Sequence, residues 1–143
     1  MTLSAETSAV LRWLFAEEGG EAIRAALAAA EKVTSSRLAV IETRRVVRRA
    51  EREGRITAAQ GADLRAIFAQ ATSTWAILEI SKEVARRADD GFPSEPVRTL
   101  DAIHLASALF LRESFPDLVI LTADERVRTN AALLGFPAEV ART

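Results

Sequence analysis

The chain has 143 residues, 49% hydrophobic and 27% charged, with a net charge of −1. That suits one soluble globular domain with a real core, and it excludes a global basic field or an acidic tail. The lack of cysteine excludes disulfides, thiolate metal sites and a cysteine nucleophile, and the single histidine, His104, leaves no room for a multi-histidine zinc site.

The first residues, Thr2 to Ala5, predict a short strand leading through Thr7 or Ser8, either a fair N-cap, into a helix carrying Val10, Leu11, Leu14 and Phe15 on one face. No basic leader precedes it, and Glu6 and Arg12 interrupt its apolar run, so it reads neither as a signal peptide nor as a membrane span, and a cytoplasmic location is expected. Gly19 and Gly20 stop this helix, and a second is expected from about Glu21 to Ala30. Val33 to Ser35 is a brief strand candidate. Ser35 or Ser36 caps a helix from Arg37 to about Arg52, with Leu38, Ile41, Val46 and Val47 apolar and Gly54 closing it. Thr57 and Gln60 have capping-box spacing and open a helix to about Ala71. A strand at Trp75 to Leu78, a helix from Ser81 to Ala88 and a loop from Asp89 to Pro96 follow.

The stretch from Arg98 to Arg112 is apolar almost all round as a helix, through Leu100, Ile103, Leu105, Ala106, Ala108, Leu109 and Leu111, so it belongs in the interior. It is expected to start behind an N-cap at Thr99 and to end near Phe115 and Pro116. Leu118 to Leu121 is the clearest strand, a continuous apolar run of the kind buried in parallel sheets. Thr122 and Glu125 have capping-box spacing before a helix that Gly135 ends, and Ala138 to Val140 is an edge-strand candidate. Strands separated by helices predict an α/β fold, a small parallel sheet flanked by helices on both faces, in a single domain over 1–143.

Four acids stand out against this pattern. Glu6 follows the first strand, Asp124 follows the last long one, Asp101 lies in the first turn of the central helix, and Glu42 borders the apolar face of the third helix. Alone, each reads equally well as an ordinary helix-end or surface acid. Side chains at strand ends and helix starts point into the crevice at the switch in strand order, so Glu6, Asp101 and Asp124 can meet there, and Glu42 can reach in from a neighbouring helix. Pooled carboxylates repel and raise one another's pKa unless a hard divalent cation such as Mg²⁺ or Mn²⁺ neutralises them. The chemistry implied is phosphodiester hydrolysis.

The segments ETSAVLRWL with EEGGEAI, SRLAVIETRRVVRR, LDAIHLASAL and ILTADERVRTNAALLGF together resemble the PIN-domain ribonucleases, and more particularly the VapC-type toxins of bacterial toxin–antitoxin pairs. The resemblance runs through essentially the whole chain in the expected order. It implies an α/β/α sandwich, Mg²⁺- or Mn²⁺-dependent endoribonuclease action on RNA, a cognate antitoxin protein and a homodimer. By it, Glu6, Glu42, Asp101 and Asp124 occupy the four acidic positions. Glu6 and Asp101 are then the principal metal ligands, Asp124 joins the metal set, and Glu42 completes the pocket. Thr7 or Ser8 and Thr122 would hydrogen-bond ligands or phosphate. The family's first position usually carries aspartate, and the extra methylene of Glu6 displaces the carboxylate.

Arg44, Arg48 and Arg52 share a helical face, read either as a solvated surface balanced by Glu51 and Glu53 or as contacts to RNA phosphates. Arg98 pairs with Asp101 or engages phosphate. His104, three residues after Asp101, reads as a satisfied core residue, with general-base duty as the alternative. The rival to the ribonuclease is a catalytically weak PIN-like module that binds RNA or a protein partner, marked by Glu6. A DNA-directed nuclease is a third possibility.

Overall fold

In the computed structural model, which describes residues 1–139, the first strand β1 (Thr2–Ala5) is buried along its whole length. It pairs in parallel on one side with β2 (Lys32–Ser36) and on the other with β4 (Val119–Leu121), while β3 (Ala76–Leu78) extends the sheet beyond β2. The order is therefore β3-β2-β1-β4, all parallel. Progression across the sheet reverses between β1 and β4, so the crevice of an open parallel sheet falls at the carboxyl ends of those two strands.

Helices fill the connections: α1 (Thr7–Leu14), α2 (Gly20–Ala29), α3 (Arg37–Arg52), α4 (Ala58–Thr72), α5 (Lys82–Asp89), α6 (Thr99–Ser114) and α7 (Glu125–Leu133). Successive side chains of a strand point to opposite faces, and β4 shows it. Ile120 joins Leu105, Ala108 and Leu111 of α6 and Val127 of α7, whereas Val119 and Leu121 pack with Leu3 and Ala9 on the other face. A second cluster on that side joins Val10 and Leu14 of α1, Val40 of α3 and Phe68 of α4 to Ala5 and Val33. Fully buried leucines such as Leu105 and Leu118 each contribute about 1.5–3 kcal/mol of hydrophobic stabilisation. The result is the α/β/α sandwich expected from the alternation of strands and helices.

Strand β2 is polar yet buried, because Thr34 donates its hydroxyl to the Leu3 carbonyl (3.1 Å) and Ser35 donates to that of Ala5 (2.6 Å). The α1–α2 corner is tight: a Cβ on Gly20 would lie 2.3 Å from the Arg12 carbonyl oxygen, so only glycine fits there.

Three helix starts differ from expectation, and each difference bears on the acids. The N-cap of α1 is Glu6 itself rather than Thr7 or Ser8. That of α6 is Arg98 rather than Thr99, with Ala102 N–H bonded to the Arg98 carbonyl (2.8 Å) and no side-chain cap. That of α7 is Asp124, whose carboxylate accepts from the Arg126 and Val127 amides, so Thr122 is not a cap and its hydroxyl is free for other work. The buried face of α3 carries Ala39, Val40, Thr43, Val47 and Ala50. Ile41 is instead 49% exposed, as is Leu100 at 47%. Small residues face the tightly packed interior there, which turns the larger ones outward. Ala138 and Glu139 are not in a strand, and Val140 lies outside the described residues.

Candidate active site

The carboxyl end of β1 delivers Glu6 into the crevice. Its backbone amide continues the ladder to Leu121 (3.0 Å), and its side chain turns back to cap α1 by accepting from the Ser8 amide (3.2 Å). The other carboxylate oxygen accepts from the Thr122 hydroxyl (2.7 Å) and from the Ser8 hydroxyl. Those hydroxyls in turn accept from the backbone of the next loop, Ser8 Oγ from the Ala123 amide (2.9 Å) and Thr122 Oγ1 from the Asp124 amide (3.0 Å). One buried glutamate thus knits together the β1–α1 and β4–α7 turns, capping a helix and reaching Thr122 at once.

The first turn of α6 brings in Asp101. Its Oδ2 is buried and has no hydrogen-bond partner. The nearest cation is the Arg98 guanidinium, which lies 3.5 Å from Asp101 Oδ2 through Nε and 3.8 Å from Asp124 Oδ2 through Nη2. Burial pushes the Asp101 carboxyl up from its ordinary value. The neighbouring Asp124 and Glu6 charges push the same way, and Arg98 opposes them. Asp101 therefore carries negative charge that the protein leaves only partly compensated.

Glu42 enters from α3. Its Oε1 accepts from the Thr7 hydroxyl (2.7 Å) and lies 2.6 Å from Nε2 of His104. The same His104 nitrogen is 3.7 Å from Glu6 Oε1, and Nδ1 is 3.5 Å from the Ser36 hydroxyl. Burial pulls the imidazole down, but the bond to Glu42 and the charges of Glu6, Glu42 and Asp101 outweigh it, and the net shift is upward. Burial likewise pushes Glu42 up, and the bonds from His104 and Thr7 carry it below its ordinary value. Each partner is thus shifted in the direction that the other's opposite charge favours.

The four acids predicted from sequence are thus drawn to one crevice. Thr7, Ser8, Thr122 and Arg98 are all found bonded or paired to them. His104 is buried and satisfied as expected, though by a carboxylate of the cluster rather than by the core. Its signal was in the sequence, since a residue three positions after Asp101 shares its helical face. Ser36 and Glu139, whose carboxylate accepts from the Thr122 amide (3.0 Å), gave no such signal.

The donor set is all hard oxygen, and Asp101 offers a buried oxygen without a hydrogen bond, both of which fit a hard divalent cation. Among the described residues, no three acidic or histidine side chains form a ready-made ligand set as they stand, and Arg98 bridges Asp101 and Asp124. Arg98 is 68% exposed and can swing away at little cost.

Residues 5–133 match the family model described as PIN domain. Two curated relatives, Ribonuclease VapC45 of Mycobacterium tuberculosis strain CDC 1551 and Ribonuclease VapC49 of strain H37Rv, are each 29% identical over 130 residues, covering 91% of this chain and 89% of theirs. Among solved structures, the fold resembles that of the VapBC2 complex of Rickettsia felis bound to a promoter DNA fragment (TM-score 0.66, 12% identity, 97% and 98% of the chains covered). It also resembles VapC20 of M. tuberculosis, a toxin that cleaves the sarcin–ricin loop (TM-score 0.65, 13% identity, 94% and 96% covered). At that identity the structures speak for the fold.

Proposed function

The chain belongs to the PIN-domain family, and on that premise we propose that it is a metal-dependent endoribonuclease, the toxin of a toxin–antitoxin pair. The observation that carries the reading is Asp101: a buried carboxylate oxygen with no hydrogen-bond partner, repelled by Asp124 and Glu6, at the crevice where β1 and β4 end. Glu6, Asp101 and Asp124 would hold Mg²⁺ or Mn²⁺. When bound, such an ion supplies charge neutralisation at the scissile phosphate and a more acidic water.

The chain's own residues do the rest. Ser8 and Thr122 fix the Glu6 carboxylate in orientation. His104 and Thr7 both bond Glu42 through Oε1, which leaves Oε2 to accept a proton from an attacking water. Arg98 partly offsets the charge of Asp101 and Asp124 and, were those acids to hold an ion, would be available to phosphate. We take residues 1–143 as one domain and assign as partners single-stranded RNA, a cognate antitoxin and a second copy of the chain, in the cytoplasm. No helix among the described residues is long and apolar enough to cross a membrane.

A second reading, a catalytically weak module that binds RNA or a partner protein, is favoured by one observation: both Glu6 oxygens already accept hydrogen bonds. Titrating Mn²⁺ into the wild type, Asp101→Asn and Glu6→Asp, with cleavage of single-stranded RNA and DNA of one sequence measured in parallel, separates the two. Acid-dependent Mn²⁺ binding with RNA cleavage supports the enzyme. Mn²⁺ binding indifferent to Asp101 supports the module.

A further inference from the structure

Helix α3 leads away from the acidic crevice with four exposed arginines, Arg45, Arg48, Arg49 and Arg52, at i, i+3, i+4 and i+7 spacing. They line a groove of about 620 Å³ whose inner end is made by Glu42, Ile41 and Leu100. The acids that a solvated face would use for balance are engaged elsewhere. Glu51 pairs with Arg65, and Glu53 pairs with Arg55 (3.1 Å). Glu42, the one acid of the groove wall, is held by His104 and Thr7. Among the described residues, none of the four arginines forms an ion pair. Arg44, which sequence periodicity grouped with Arg48 and Arg52, leaves this set and lies over the Phe68 ring, 5.9 Å from its centroid.

Four unpaired guanidinium groups on one rigid helix face concentrate positive charge on a chain whose net charge is −1, and planar guanidinium forks match phosphate oxygens. From Glu42 to Arg52 the helix rises roughly 15 Å at 1.5 Å per residue. That is long enough for more than one phosphate of a bound strand to meet the arginines. The two exposed apolar side chains, Ile41 and Leu100, stand where the groove meets the crevice and offer a surface on which a nucleobase can rest. We propose that this groove is the track for the sugar–phosphate backbone of the RNA on one side of the cut, with the arginines of α3 holding phosphates and Ile41 and Leu100 supporting the base next to the crevice. The inference rests on the ribonuclease reading for its polyanion and its direction. Phosphate contacts position a strand without reading its bases, so the groove sets affinity and register and leaves sequence choice to other residues.

The test measures binding of a labelled single-stranded RNA of mixed sequence in EDTA, between about 50 and 200 mM salt, to wild type, Asp101→Asn, and the double (R48Q/R49Q) and quadruple (R45Q/R48Q/R49Q/R52Q) variants. Gln keeps helix propensity at these exposed positions, and unchanged melting shows that the variants fold. The expected result is a salt slope reduced by about 0.7 for each phosphate that the variant no longer neutralises, with at least a tenfold loss of affinity in the quadruple variant at low salt and no loss in Asp101→Asn. With Mn²⁺ present, KM for a long RNA rises while kcat and the cut positions stay unchanged. Unchanged slope and affinity in the quadruple variant overturn the proposal. So does a Glu-rich peptide whose binding depends on the arginines while RNA binding does not, which makes the groove a dock for an acidic protein segment. If the wild type binds RNA through these arginines but cleaves none with Mn²⁺, the ribonuclease reading falls and the groove remains an RNA-binding track without a cut beside it.

Discussion

Glu42 and His104, 62 positions apart in sequence, meet at 2.6 Å between Oε1 and Nε2 and place a proton at the back wall of the acidic crevice. The pair joins α3 to α6, and Thr7 ties α1 to the same oxygen at 2.7 Å. Three helices that approach the sheet from different connections are locked together there by one carboxylate. The crevice is therefore backed by an imidazole–carboxylate contact that belongs to the fold itself.

The first expectation concerns that proton. Because His104 is raised above its ordinary value, the pair's stabilisation is fully present below pH 6.5 and is lost as pH rises through the folded value. Because Glu42 is lowered, its part is present above the ordinary carboxylate value and is lost as pH falls through the folded one. Stability from the pair is thus greatest between those two limits. His104 is the only histidine, so one imidazole signal in an NMR titration of the metal-free protein reports it. A midpoint at or below 6.5 would contradict the pairing. Glu42→Gln should lower the midpoint and cost about 1–3 kcal/mol at about pH 6.

Asp101→Asn should separate stability from metal binding. An ionised Asp101 is unfavourable in the folded metal-free protein, where burial and Asp124 both push its pKa up. Removing the charge is expected to raise the melting temperature in EDTA by a few degrees. Millimolar Mn²⁺ should then raise the wild-type melting temperature and leave the variant's in place. A variant that melts lower in EDTA and still responds to Mn²⁺ would remove Asp101 from the site.

Arg98 competes with the ion for Asp101 and Asp124. Its ion pairs are long and mostly exposed, so each is worth at most about 1 kcal/mol. Arg98→Gln should therefore tighten Mn²⁺ binding by about two- to fivefold in calorimetry, while RNA cleavage falls because phosphate loses a partner. Weaker Mn²⁺ binding in the variant would show that Arg98 supports the ligand set instead of screening it.

Thr122→Val keeps the shape of the side chain and deletes one donor to Glu6 and one acceptor for the Asp124 amide. Leaving two buried polar groups short of partners is expected to cost about 1–3 kcal/mol in denaturant unfolding. Mn²⁺ affinity should fall as well, since the Glu6 carboxylate loses its fixed orientation. Unchanged stability would mean that Ser8 alone suffices to hold Glu6.

Much of this protein was legible in order along the chain. The apolar run from Leu118 to Leu121, of which Val119–Leu121 is strand, the capping box at Thr57 and Gln60, and the cap that falls to Ser36 of the pair Ser35 and Ser36 are local signals, set by hydrogen bonds and burial within a few residues. The alternation of strands and helices also predicted the parallel sandwich, because connections between parallel strands need a crossover. That Glu6, Asp101 and Asp124 face one crevice followed from their places at strand ends and helix starts, with Glu42 reaching in from a neighbouring helix.

What only the tertiary structure decided was the partnership of each polar atom. Thr122 reads as a cap until the β1–α1 turn lies beside it and Glu6 takes its hydroxyl. Arg44, Arg48 and Arg52 read as one stripe until α4 packs under Arg44 and turns the free arginines into a groove with Leu100. His104 reads as core until α3 brings Glu42 to it. Periodicity says which face of a helix a side chain is on. Which charge stands opposite depends on packing between segments tens of residues apart, and no local pattern contains that.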